Sequence, residues 1–209
     1  MNDLARHAAR LRALPPSCGP VRLIAVDGHA GSGKTTFATR LAAALGGAPV
    51  LHLDDLASHE HLFDWTGRFH DQVAGPLSRG ETARYTPYDW TARAFGPPRA
   101  LPAAPVVLVE GVGAGRRALR PMLARLLWMD LPAAAAWERG RRRDGPAQHT
   151  FWNGWTAAET DHFAADPSRP SADALIRQLP VGYEWLERTG TEAGINHSVT
   201  HRDHHGPTY

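Results

Sequence analysis

The chain has 209 residues, 43% of them hydrophobic and 21% charged, which suits one α/β domain with a sizeable core and is short for two. A formal charge of +2 gives no footing for a nucleic-acid partner or a membrane surface. One cysteine, Cys18, excludes an intrachain disulfide, and no apolar run approaches the roughly 18–20 residues that span a bilayer, so the expectation is a cytoplasmic protein.

Residues 1–14 are Arg-rich and place Leu4, Ala8, Leu11 and Leu14 on one helical face. Without an apolar core or a cleavage site this reads as a short helix packed on the domain, not a targeting signal. Residues 15–20 are a Pro/Gly-rich linker in which Cys18 is an incidental thiol. Residues 21–26 (VRLIAV) have the pattern of a buried parallel strand. A Gly-rich turn follows, and residues 35–45 are helical in composition up to Gly46-Gly47. Residues 49–53 predict a second strand, residues 58–68 an excursion over the active-site face, and residues 69–77 a helix. Residues 83–102 read as irregular. Residues 104–109 (APVVLV) and 125–131 predict two further strands, 132–143 and 149–165 helices, and 172–176 a short late strand. The spacing thus gives an N-terminal helix and linker over 1–20, one domain over 21–188, and a disordered His-rich tail over 189–209. Alternating strands and helices predict an α/β fold: a mostly parallel sheet covered on both faces, with ligands beyond the carboxyl ends of its strands.

The chemistry gathers at those ends. Gly28-His29-Ala30-Gly31-Ser32-Gly33-Lys34-Thr35 fits G-x-x-x-x-G-K-[ST] without a mismatch, after a strand and before a helix, with Thr36 next to it. The glycines let backbone N–H groups wrap a phosphate, and the helix turns its positive end to the anion. Lys34 supplies a cation for the β- and γ-phosphates, and the Thr35 hydroxyl suits Mg²⁺. His29 is a variable position of the loop and takes no catalytic part. Asp54 and Asp55 end the second strand, and one of them is the candidate base for an acceptor hydroxyl. Glu110 follows the strand over 104–109, where a carboxylate can hold Mg²⁺ directly or through water. Asp27 ends the first strand and braces the loop.

Arg139, Arg141, Arg142 and Arg143 fall within one helical stretch, so one or two of them can face a transferring phosphoryl group. Arg116-Arg117 reads as ordinary surface, and Trp152 and Trp155, three apart, as core. His197, His201 and His205 are spaced for one helical face, but in a Gly-containing polar tail they suggest adventitious metal affinity only. Asp64-Trp65-Thr66-Gly67 matches D-x-x-G, but no Asn-Lys-x-Asp accompanies it, which argues against a GTPase.

Taken together, DGHAGSGKTT, the LDD after the second strand, Tyr88-Asp89-Trp90, EGVGAG after the strand over 104–109, and ERGRRRD resemble the uridine kinase-like branch of P-loop kinases, with phosphoribulokinase and bacterial pantothenate kinase as relatives. The resemblance spans residues 21–176. It implies a three-layer α/β/α P-loop NTPase fold and transfer from ATP-Mg to a hydroxyl. It also implies Asp54 rather than Asp55 as base, Glu110-Gly111 at the metal, and Arg139 and Arg143 as lid arginines. Asp64 of Phe63-Asp64 would hold ribose hydroxyls, and Tyr88 and Asp89 would lie near the nucleoside. Two departures fall in the base-recognition region: Ala57 stands where such kinases carry a tyrosine, and residues 92–95 offer no histidine. The expected activity is therefore a small-molecule kinase. Uridine or cytidine leads as acceptor, and the alternatives are pantothenate, a sugar phosphate, or a nucleotide-binding regulatory role without transfer. GTP in place of ATP and the oligomeric state stay open.

Overall fold

The computed structural model describes residues 3–188; the segment 189–209, with His197, His201 and His205, lies outside them. In chain order the elements begin with α1 (Asp3–Arg12), β1 (Arg22–Asp27), α2 (Lys34–Ala44) and β2 (Val50–His52). A broken helix follows, in which α3 (Thr66–Phe69) passes through a π-type turn into α4 (Gly75–Ser78). Next come short strands β3 (Ala83–Tyr85), β4 (Tyr88–Asp89), β5 (Ala94–Phe95) and β6 (Arg99–Leu101), then β7 (Val106–Glu110) and β8 (Leu123–Met129). Two helices, α5 (Ala133–Asp144) and α6 (His149–Ala165), precede β9 (Ala174–Gln178) and β10 (Tyr183–Glu187).

The main sheet has the order β10-β9-β8-β1-β7-β2. Every pairing is parallel except β10 against β9. Side chains on successive residues of β1 point to opposite faces, and both faces are covered. Ile24 and Val26 join Phe37 and Leu41 of α2 and Ala8 and Leu11 of α1. Leu23 and Ala25 join Phe69, Val73 and Leu77 of the broken helix. The fold is thus the three-layer α/β/α architecture that the alternating pattern predicts. The carboxyl ends of β1, β2 and β7 come out side by side, with Val26 paired to Glu110 and Glu110 to His52.

Two local expectations change, and one strand had no expectation. Residues 83–102 are not irregular: β3 pairs with β6 and β4 with β5 as small antiparallel ribbons. β10 closes the sheet as an antiparallel edge, with Tyr183 and Trp185 on either side of Glu184; both rings pack with Phe37 of α2. Cys18 is buried, its thiol within reach of the Ala74 carbonyl at 3.5 Å, so it packs in the core.

Candidate active site

The loop between β1 and α2 is bent as its glycines require. Gly31 has φ +83° and Gly33 φ +95°, values that side-chain-bearing residues rarely adopt. A Cβ on Gly31 would lie 2.1 Å from the Ala136 carbonyl oxygen, so α5 sits directly on the loop. Lys34, only 7% exposed, donates to the carbonyls of Gly28 (2.9 Å) and His29 (3.0 Å). The buried Ser32 hydroxyl is without a hydrogen-bond partner. A positive helix end, a folded-back ammonium and an unspent hydroxyl around a concave backbone fit a phosphate chain.

Asp27 braces this loop. It is fully buried; Oδ1 accepts from the Gly28 and Gly113 amides at 2.7 and 2.9 Å, and Oδ2 from Gly115 at 2.8 Å. One carboxylate thereby ties the phosphate loop to the turn after β7. Just before that turn, Glu110 ends β7, and its Oε1 accepts from Thr35 Oγ1 at 3.0 Å and from His52 Nδ1 at 2.5 Å. The bond to Glu110 holds the His52 pKa above its ordinary value, although burial alone would lower it. Thr35 and Glu110 form a pair of oxygens suited to Mg²⁺. Among the described residues no group of three or more His, Cys, Asp or Glu could cage a metal by itself, so a cation here would complete its shell with phosphate and water.

Asp54 and Asp55 occupy a 3-10 turn after β2 and differ in their surroundings. Asp55 Oδ2 accepts from the Tyr85 hydroxyl at 3.0 Å and pairs with Arg99 at 3.5 Å. Burial, with the Asp55 charge next, pushes the Tyr85 pKa up to about 12. Asp54 instead opens into the cleft, its carbonyl accepting from Trp90 Nε1 at 3.1 Å. Its carboxylate is exposed to solvent yet ringed by protein. That enclosure, and then the Glu110 charge, hold its pKa above the usual carboxylate range against the opposing charges of Lys34 and His52.

Two adjoining clefts meet at Asp54. One, of about 360 Å³, is lined by the loop from Ala30 to Thr36, by Glu110 and by Arg139 and Arg143. The other, of about 560 Å³, is lined by His59, Trp90, Phe151, Trp152 and Trp155, with Gln148, Asp144 and Arg143. Ala30, Asp54, Arg143 and Trp155 line both. A third recess, of about 450 Å³, opens past Ser32 between the ends of β8 and β9.

Of the four clustered arginines, Arg139 and Arg143 face the loop. Arg139 donates to Gln178 Oε1 at 2.9 Å, and Arg143 forks onto Asp144 at 2.6 and 2.9 Å. Arg141 reaches Asn153 and Thr156 of α6 instead.

The residues expected on the acceptor side do not line the clefts. Asp64 is 88% exposed, lies 3.9 Å from His61 and lines none of the clefts. Asp89 caps the amides of Thr91 and Ala92. Tyr88 is buried and meets His59 Nδ1 at 3.0 Å, so it backs the cleft rather than lining it. Arg116 is not surface: at 7% exposure it stacks over Trp65 at 4.0 Å and donates to the Phe63 carbonyl, whereas Arg117 is exposed. Trp152 and Trp155 are buried as expected for core, and they also wall the aromatic cleft. Glu159, absent from every motif, is buried against the loop and accepts from His29 and from the Ala30 amide. Its charge, four residues after Trp155 and seven after Trp152 on one face of α6, was the available signal.

No family model matches the sequence, and no curated protein does. Solved structures do. A possible uridine kinase from Bacillus stearothermophilus matches with a TM-score of 0.61 at 18% identity, over 83% of this chain and 97% of that one. A protein described as a fructose transport system kinase, from Silicibacter sp. TM1040, matches with a TM-score of 0.56 at 22% identity, over 76% of this chain and 88% of that one. At such identities the likeness carries the three-layer fold.

Proposed function

We propose that the protein is a cytoplasmic kinase that transfers the γ-phosphoryl group of ATP to a hydroxyl of a neutral, ring-bearing small molecule, with a nucleoside such as uridine or cytidine as the leading acceptor. The observation that carries this reading is the junction: Asp54 and Arg143 line the phosphate cleft and the aromatic cleft together. A group transferred between ligands in the two clefts must pass between these side chains.

The loop amides and Lys34 would hold the phosphate chain, and the recess past Ser32 would take the nucleotide base. Thr35 and Glu110 would hold Mg²⁺, which supplies charge neutralisation at the β- and γ-phosphates. Asp54 accepts the proton of the acceptor hydroxyl as that oxygen bonds to phosphorus and the bond to the bridging oxygen breaks. A raised pKa brings the carboxylate nearer to that task. Arg143 and Arg139 stabilise charge on the phosphoryl group in transit. The acceptor's character follows from the lining: aromatic rings present flat apolar faces, and the one lining arginine is already held by Asp144. An anionic acceptor would meet Asp54 and Asp144 there and compete with the transferring phosphoryl group for Arg143, which disfavours a sugar phosphate or pantothenate.

The test is ATP consumption across nucleosides, fructose, pantothenate and sugar phosphates, with Lys34→Ala as control. Transfer to a neutral ring-bearing alcohol, lost in the control, is the expected result. Transfer to a phosphorylated acceptor alone would overturn the acceptor assignment. ATP binding without transfer to any alcohol would favour a regulatory nucleotide-binding protein.

A further inference from the structure

Glu159 plays no part in the transfer just described, yet its side chain is 0% exposed. A carboxylate stripped of water persists in a core only where donors replace that water. Glu159 has them on both oxygens. Oε1 accepts from His29 Nδ1 at 2.7 Å and Trp137 Nε1 at 3.0 Å. Oε2 accepts from Trp155 Nε1 at 2.8 Å and the Ala30 amide at 3.2 Å. Burial would raise its pKa, but the bonds from His29, Trp155 and Trp137, with the Lys34 charge, outweigh that and hold it below the ordinary value. The donors come from separate elements: His29 and Ala30 from the phosphate loop, Trp137 from α5, and Trp155 from α6. Trp155 is also a wall of the aromatic cleft, one turn before Glu159 on the same helix.

We propose that Glu159 is a positioning residue for the phosphate loop: through His29 and the Ala30 amide it sets the curvature of the segment that receives the phosphate chain, and through Trp155 it ties that curvature to the acceptor wall. This rests on the nucleotide reading of the loop. Ala30 N–H is spent on Glu159, so the loop's next amides are presented from a fixed peptide. The consequence for His29 is specific. It is a structural link between loop and helix, and opposite a carboxylate its Nδ1 carries the proton.

Glu159→Gln tests this with almost no change of volume. Whichever way the amide lies, its NH₂ faces at least one N–H donor, because both carboxylate oxygens are acceptors. Titration calorimetry on the full chain would measure magnesium-ATP and, separately, magnesium tripolyphosphate, with thermal melting as a folding check. The expected result is a weakening of about tenfold for both ligands in a variant that remains folded. A purely structural role would lower the melting temperature and leave both affinities of the folded protein within about twofold of wild type, which overturns the proposal. If Glu159→Gln does not fold, His29→Leu removes the loop's side-chain donor alone. It is expected to weaken both ligands about threefold, and unchanged affinities there overturn the proposal equally. Wild-type protein that binds neither ligand would overturn the nucleotide reading along with this one, whereas wild-type binding with unaltered variants would overturn this inference alone.

Discussion

Asp54 and Asp55 are adjacent and chemically identical, and their neighbours separate them. Asp55 is held by Tyr85 and Arg99, while Asp54 faces the space where an acceptor hydroxyl would sit. The raised pKa of Asp54 has a sign that can be checked. Its ionised form is disfavoured in the folded protein by enclosure and by the Glu110 charge. Stability is therefore intact while the group is protonated and declines as pH rises through the folded value, so at neutral pH the carboxylate is a burden. Asp54→Asn should lower turnover by about 10²- to 10⁴-fold, keep magnesium-ATP affinity, and raise the neutral-pH melting temperature. Turnover assays, calorimetry and thermal melts check the three parts. In the wild type, the acid limb of kcat/KM should fall above the ordinary aspartate value of about 3.9. A limb at or below that value would remove Asp54 as the base.

At the scale of elements, α5 and α6 form the roof over both clefts. They approach so closely at Gly140 that a Cβ there would lie 2.2 Å from the Trp152 ring. Gly140→Ala should force the helices apart and cost about 1–3 kcal/mol, visible as a lower melting temperature together with a higher acceptor KM. The aromatic wall gives a second expectation. Phe151 lines the acceptor cleft without lining the phosphate cleft, and it packs with Trp90 and Trp155. Phe151→Ala removes a stacking face of about 0.5–1.5 kcal/mol, on the order of a two- to tenfold rise in acceptor KM, with magnesium-ATP affinity unchanged. A matching loss of ATP affinity would mean that the two clefts are not divided as described. Arg143 spans the division. Its guanidinium forks onto Asp144, which Trp152 Nε1 also reaches at 3.1 Å, and in the proposed transfer it would exchange that partner for the phosphoryl group.

For the whole molecule, the loop after β1, the turn after β7 and the roof helices are joined through Asp27 and Glu159, so the proposed nucleotide site exists only in the folded chain and its ligand would stabilise the fold. A ligand that binds only the folded state at a hundred times its Kd stabilises by about 2.7 kcal/mol. For a domain of this size that raises the melting temperature by roughly 5–10 °C. Magnesium-ATP should produce such a shift in the wild type and none in Lys34→Ala. A wild-type melting curve unmoved by saturating magnesium-ATP would refute nucleotide binding at this loop.

What the sequence by itself determined is whatever depends on neighbours in the chain. The loop after β1 is contiguous, and its turn needs glycine at set positions, so the bend at Gly31 and Gly33 was legible with the strand before and the helix after. The parallel layering followed from alternating elements, and Glu110 from its place at a strand end. The tertiary structure decided whatever depends on distant partners. His29 and Glu159 are 130 positions apart, and Asp27 and Gly115 are 88. Arg116 looked like surface until Trp65 and the Phe63 carbonyl were brought to it, and the exposure of the Asp64 carboxylate, apart from both clefts, is likewise set by how the chain packs. Local backbone chemistry is written in consecutive residues, whereas the environment of a charge is made by packing, and no short stretch of sequence carries it.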